Sequence, residues 1–175
     1  MKILIVSTSL NPRSRSRALA RRADEHLTAA GAETCFVDLQ ELELPPCGSD
    51  GCYDHPQVGE LDARVREANA IVVATPIYNY DVNAACKNMV ELTGDAWEDK
   101  IVGFLCAAGG NSSYMSVMGI ANSLMLDFRC VIVPRFVYAT GAAFRDGVLA
   151  DPEIARRVEE LGEQVMRFVN GLNSA

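Results

Sequence analysis

Short apolar runs alternate along the chain with segments of helical length. Ile3 to Val6 is the first run, Cys35 to Leu39 a weaker second, Ala70 to Ala74 the third, Ile101 to Ala107 the fourth and Cys130 to Val133 the fifth. All but the second are continuously apolar, the pattern of strands covered on both faces, as in a parallel sheet between helical layers. The segments between them predict helices. Ser14 to Ala30 sets Leu19, Ala20, Ala23 and Leu27 on one face and stops at Gly31. Glu60 to Ala68, Asn83 to Thr93 and Ser113 to Asp127 are expected helices, and Pro134 to Ala150 reads as irregular. In the last helix Asp151 is the N-cap and Pro152 the first helical residue. Ile154, Val158, Leu161, Val165 and Phe168 then form a stripe for core packing.

A strand–helix unit repeated in this way, with right-handed crossovers, makes an α/β doubly wound sheet. Five strands and a short first strand-to-helix loop favour a three-layer, flavodoxin-like sandwich. Its sheet would be five-stranded and parallel, in the order 2-1-3-4-5 rather than the longer Rossmann order. A length of 175 residues suits one domain spanning residues 1–175.

Charge narrows the partners. A net charge of −7 disfavours nonspecific nucleic-acid binding, which needs clustered Lys and Arg. The basic residues bunch once, at Arg13, Arg15, Arg17, Arg21 and Arg22, as a local anion site or a solvated helix face would. No apolar run reaches the length of a membrane span, and Ile3 to Val6 is too short for a signal segment. The expectation is a soluble, cytoplasmic protein without membrane or nucleic-acid partners.

Six cysteines show no Cys-x-x-Cys and no histidine spacing for zinc, so no metal site is expected. Four lie in apolar or helical stretches and read as small hydrophobes. Cys47 and Cys52 share the long polar loop from Glu41 to Gly59, either as free thiols or as a redox pair.

Ligands of open α/β sheets bind beyond the carboxyl ends of strands near the switch in strand order, which singles out the loops after the first, third and fourth strands. The first runs from Ser7 to Ser16 and opens a helix, where free N–H groups, the helix dipole, serine hydroxyls and Arg15 suit an anion. It is neither Gly-x-Gly-x-x-Gly nor Gly-Lys-Ser/Thr, so a terminal phosphate monoester fits better than a pyrophosphate or a P-loop nucleotide. The second, Thr75-Pro76-Ile77-Tyr78-Asn79-Tyr80, offers aromatic rings and backbone donors to a flat heterocycle. The third contains Ala108, Gly109, Gly110 and Asn111, and its paired glycines let backbone approach a planar ring. Each loop alone is also an ordinary turn; their coincidence at one place points to a single ligand.

These loops resemble the NADPH-dependent FMN reductase family, which includes flavin, quinone, azo-dye and chromate reductases. Ser9 to Ser16 is similar to the family's phosphate loop, Pro76-Ile77-Tyr78-Asn79 followed by Lys87-Asn88 to its Pro-x-Tyr-Asn…Lys-Asn motif, and Gly109-Gly110 to its third flavin loop. The resemblance implies FMN as cofactor and NAD(P)H as co-substrate. Ser9, Asn11, Ser14, Arg15 and Ser16 would lie at the phosphate, and Pro76, Ile77, Tyr78, Asn79 and Tyr80 at the ring. Thr8 stands where the family usually has Gly, Asn11 where many members have Arg, and Ile77 where many have Glu. A homodimer or homotetramer is implied, with Tyr80 to Val82 and the helix from Asn83 to Thr93 as candidate interface parts. A small-molecule acceptor would take the electrons in a ping-pong cycle. No catalytic side chain is named, because hydride transfer to flavin needs no protein base; His26 and His55 are expected at the surface. A flavodoxin-type electron carrier and a noncatalytic flavin-binding domain remain alternatives, the carrier disfavoured by glycines where flavodoxins place bulky aromatics.

Overall fold

Ile3 and Ile5 face one side of the central sheet while Leu4 and Val6 face the other, and helices cover both sides. Alternate residues of a strand point to opposite faces, so a strand covered twice is apolar at every position. The computed structural model describes residues 1–172. Its elements are β1 (Lys2–Ser7), α1 (Arg15–Ala29), β2 (Glu33–Asp38), α2 (Pro56–Glu67), β3 (Ala70–Tyr78), β4 (Asp81–Val82) and α3 (Ala84–Thr93), followed by β5 (Ile101–Ala108), α4 (Met118–Phe128), β6 (Val131–Ile132), β7 (Val137–Thr140), β8 (Phe144–Arg145), β9 (Val148–Leu149) and α5 (Pro152–Leu172). The sheet runs β2-β1-β3-β5-β6 with β7 also alongside β5, all parallel. This is the expected 2-1-3-4-5 order, with β6 and β7 together forming the last strand.

One core layer packs Leu61, Val65, Met89, Val90, Ile120 and Leu124 of α2, α3 and α4 on the sheet. The other packs Leu19 and Leu27 of α1 with Val158, Leu161, Val165 and Val169 of α5. Close approach explains Gly103 in the middle of β5: a Cβ there would lie 3.2 Å from Val165 Cγ2. The α5 cap is as expected, with Asp151 Oδ1 accepting from the backbone N–H of Glu153 at 2.9 Å.

Four expectations change. The last strand is not confined to Cys130–Val133. It breaks after Ile132 and resumes at Val137, because Val102 pairs with Ile132 and Leu105 with Val137; residues 133–136 therefore bulge opposite residues 103–104. The stretch from Pro134 to Ala150 accordingly holds β7 and the β8–β9 hairpin rather than only irregular chain. The helix expected from Ser113 begins as a 3₁₀ turn, Tyr114–Val117, before α4. α2 starts earlier than Glu60, with Pro56 in its first turn, where the missing N–H costs no helical bond.

All six cysteines are free, and their surroundings divide differently from the sequence reading. Cys35, expected to behave as a small hydrophobe, is exposed on β2, while Cys52 of the polar loop is buried against Val58 and Leu92. Cys47 is half-buried, with its Sγ 3.4 Å from the Tyr53 hydroxyl. Burial pushes the Cys86 thiol up from 9.0 to about 12 and Cys130 to about 11, and raises Cys106 as well. A thiol raised in the folded state favours folding fully below its unfolded value and loses that contribution as pH climbs toward the folded value. Stability should therefore fall as pH rises from 9.0 to about 12. Urea midpoints measured across that range should drop less steeply in Cys86→Ala, by the equivalent of about one proton.

Candidate functional site

The three loops meet in one open cleft of about 1310 Å³ at the carboxyl ends of β1, β3 and β5. Of the residues singled out in the sequence, Ser9, Asn11, Ser14, Arg15, Ser16, Pro76, Ile77, Tyr78, Asn79, Ala108 and Gly109 line it. Tyr80, Gly110 and Asn111 are not among its lining residues. Arg13, Arg17 and Arg21 of the basic bunch also line it, as a local anion site would, whereas Arg22 does not; the turn Asp146-Gly147-Val148 is a wall that the sequence reading did not place there.

Ser14 caps α1: its hydroxyl accepts the Arg17 N–H at 3.1 Å and lies 2.9 Å from the Ser16 hydroxyl. The first N–H groups of a helix have no intrahelical acceptor, so the remaining donors of this turn stay available to an anion. Asn11 turns inward on its own loop, its Oδ1 accepting the Arg13 N–H at 2.9 Å, while the Asn11 N–H donates to Ser9 Oγ at 3.3 Å. Among the described residues no carboxylate pairs with Arg15. Its guanidinium lies against Gly141, where a Cβ would come within 2.9 Å of Nη1. Arg21 instead stacks on Phe36, 3.7 Å from the ring centroid.

A buried amide ties the first two loops together. Asn83 Nδ2 donates to the Thr8 carbonyl at 2.7 Å, and its Oδ1 accepts from the hydroxyls of Thr8 at 2.8 Å and Thr75 at 3.1 Å. Thr8 is thus a structural tie. Asn83 stands at the helix N-cap, but its side chain makes no capping bond because these partners occupy it. The signal in the sequence was a Thr at each loop start and an Asn before the helix; nothing local said they would meet.

Asn79 and Tyr80 both have positive φ, 52° and 63°, and join β3 to β4 as a tight antiparallel hairpin turn. The turn leaves Tyr78 53% and Tyr80 67% exposed, so Tyr78 borders the cleft while Tyr80 projects into solvent outside its lining. The third loop is held from β7, another element missed in the sequence. The Tyr138 hydroxyl donates to the Gly110 carbonyl at 2.5 Å and lies 2.7 Å from Ser113 Oγ. Tyr114 packs on Phe136 and Tyr138, with ring centroids 4.9 and 5.4 Å apart. Nothing lies within 4 Å of a Cβ built on Gly109, leaving that side of the cleft open. The Asp146-Gly147 turn had a readable signal, an Asp-Gly pair between Phe144-Arg145 and Val148-Leu149.

His26 and His55 are half-buried and lie outside the cleft lining. Among the described residues no cluster of His, Cys, Asp and Glu could hold a metal ion, and no helix is long and apolar enough to cross a membrane.

The donor set fits a phosphate monoester, and the open glycine side fits a planar ring. Comparison with known proteins points the same way. The chain is 29% identical over 146 residues to an NAD(P)H-dependent FAD/FMN reductase of Geobacillus thermodenitrificans, covering 79% of each chain. It is 27% identical over 174 residues to a probable NADPH:quinone oxidoreductase of Oryza sativa, covering 92% of this chain and 85% of the relative. The solved NAD(P)H:(acceptor) oxidoreductase of Paracoccus denitrificans superposes with a TM-score of 0.78 at 18% identity over 97% of each chain. An archaeal flavodoxin superposes with a TM-score of 0.69 at 13% identity, covering 97% of this chain and 99% of its own, so the likeness of fold extends to a flavodoxin as well. The pattern of the NADPH-dependent FMN reductase family matches residues 1–144, and the chain belongs to that family.

Proposed function

We propose that the cleft binds FMN and that the protein is an oxidoreductase moving electrons from NAD(P)H to a small acceptor such as a flavin, a quinone or an azo dye. The observation that carries this is the convergence of the serine-rich helix start, the Pro76–Asn79 wall and the Gly109 opening on one cleft. FMN, when bound, supplies the chemistry, accepting a hydride from the nicotinamide and giving its electrons to the acceptor. Ser9, Ser14, Ser16 and Arg15 hold the phosphate, the hydroxyls by hydrogen bonds and Arg15 by charge. The backbone at residues 76–79 and Ala108 borders the ring, and Gly109 leaves room for a second planar group. One open face serves both substrates in turn, so kinetics should be ping-pong.

The deciding experiment is anaerobic mixing of FMN-loaded protein with NADPH or NADH. Loss of the visible absorbance of oxidised flavin, followed by its return on adding a quinone, supports the enzyme. Reduction by dithionite but by neither nicotinamide would make the protein an electron carrier instead.

The same reading includes self-association beside the cleft. Tyr80, Met115 and Met118 are 67%, 60% and 42% exposed, and Gly119 of α4 lies near Asp81 of β4, so the turn and the start of α4 adjoin. Exposed apolar side chains grouped in this way mark contact surfaces. The outer side of α3 is less apolar and carries the Lys87–Glu91 ion pair at 2.8 Å. A homodimer or homotetramer is expected in sedimentation at micromolar concentration, and Met115→Lys with Met118→Lys should shift it toward monomer.

A further inference from the structure

Six hydrogen bonds converge on the guanidinium of Arg17, the residue that closes the first turn of α1. It grips both carboxylate oxygens of Asp38 at the end of β2, and Gln40 Oε1 just beyond. It also donates to the backbone carbonyls of Ser9, Asn11 and Pro12, at 3.4, 3.2 and 3.1 Å. The pair is largely withdrawn from water, with side-chain exposures of 17% for Arg17 and 5% for Asp38. Asp38 is itself fixed, because β2 pairs with β1 as far as Ser7↔Asp38 and its Oδ1 accepts the Gln40 N–H at 3.2 Å.

Two consequences follow. The charge of Arg17 is already matched by Asp38, so it adds little net positive charge to the cleft, unlike Arg15. Its geometry does something else: three carbonyls of one short loop are engaged by one planar fork. Carbonyl oxygens left free beside a phosphate would repel it, and a loop free to rotate its peptides would lose entropy when an anion orders it.

We propose that Arg17, anchored by Asp38 and Gln40, is a positioning residue that holds the Ser9–Ser14 loop in its anion-accepting shape before the ligand arrives. This rests on the reading of that loop as the FMN phosphate site. A lysine can place a point charge here but cannot bridge a carboxylate, an amide and three carbonyls, because it lacks the planar fork.

The test measures dissociation constants for FMN and riboflavin, which differ only in the phosphate, and uses their ratio as the readout. Wild type should favour FMN; equal binding of the two would remove the phosphate reading and this role with it. In Arg17→Lys, FMN should weaken by about tenfold or more while riboflavin changes by less than about threefold, the loss belonging to preorganisation at the phosphate. A ratio kept within about threefold of wild type would overturn the proposal, since charge alone would then suffice. Parallel loss of both flavins would also overturn it, as a general effect on folding. Gln40→Ala, at an exposed position that does not line the cleft, guards against a misfolded lysine variant; it should lower the ratio by about threefold, and an unchanged ratio counts against the anchored fork.

Discussion

Replacing Asn83 with alanine should destabilise the protein by about 2–3 kcal/mol, and weaken FMN by about tenfold or more in whatever fraction stays folded. The stability loss comes from burial. Asn83 is 7% exposed, and its amide is the partner of the Thr8 carbonyl, a group with no route to water where it lies. The two threonine hydroxyls suffer less, because Thr8 Oγ1 also reaches the Ala74 carbonyl at 3.2 Å and Thr75 Oγ1 the Pro76 carbonyl at 3.2 Å. One orphaned acceptor and a small void therefore account for most of the cost. The binding loss has a different origin: Asn83 sets the distance between the two loops that the proposed function assigns to the phosphate and to the ring. Asn83→Asp separates the parts. It keeps the acceptor oxygens but loses the donor to Thr8 and adds a buried charge, so it should be at least as destabilising as alanine. Urea denaturation gives the first quantity and flavin fluorescence titration the second. A loss below about 1 kcal/mol would mean that water takes the place of the amide, and that the tie is dispensable.

The second large effect is expected at Gly109. This residue lines the cleft, has an ordinary backbone angle, and has no neighbour within 4 Å of an added Cβ. Gly109→Leu therefore introduces no backbone strain; it only occupies the opening. Flavin should still bind, and dithionite should still reduce it. Reduction by NAD(P)H should slow by about tenfold or more, because the nicotinamide can no longer lie flat at the reacting distance. The neighbouring Gly110→Leu is the control. Gly110 does not line the cleft and its carbonyl is held by Tyr138, so its variant should reduce more nearly as wild type does. Equal rates for Gly109→Leu and wild type would mean that hydride arrives from another side.

The strands and helices were legible wherever a single periodicity dominated. Ile3 to Val6 and Ile101 to Ala107 read as doubly covered strands because they are short and continuously apolar, and the stripe from Ile154 to Phe168 reads as one face of a helix. β7 escaped because its run is short, Val137 to Thr140, and follows Pro134 at the bulge. The candidate site was legible at its rim, since Ser14, Pro76 and Gly109 carry local turn and capping signals. Its supports were not. Arg17 meets Asp38 across 21 positions, Thr8 meets Asn83 across 75, and Tyr138 meets Gly110 across 28. Each pairing exists only once the sheet has brought the elements together, and a linear pattern holds no trace of such meetings.

The interrupted strand at Ile132–Val137 bears on the fate of the molecule in a crowded cell. An outermost strand with a straight ladder of free donors and acceptors is a template for any extended chain that drifts past, and so a start for fibres. Here that border is cut into pieces of two and four residues, with a proline, which has no N–H to give, and an arginine at positive φ between them. A stranger's strand would find no register to continue. Removing Pro134 and Arg135 to straighten the border would be expected to leave the cleft intact and make the protein prone to aggregate.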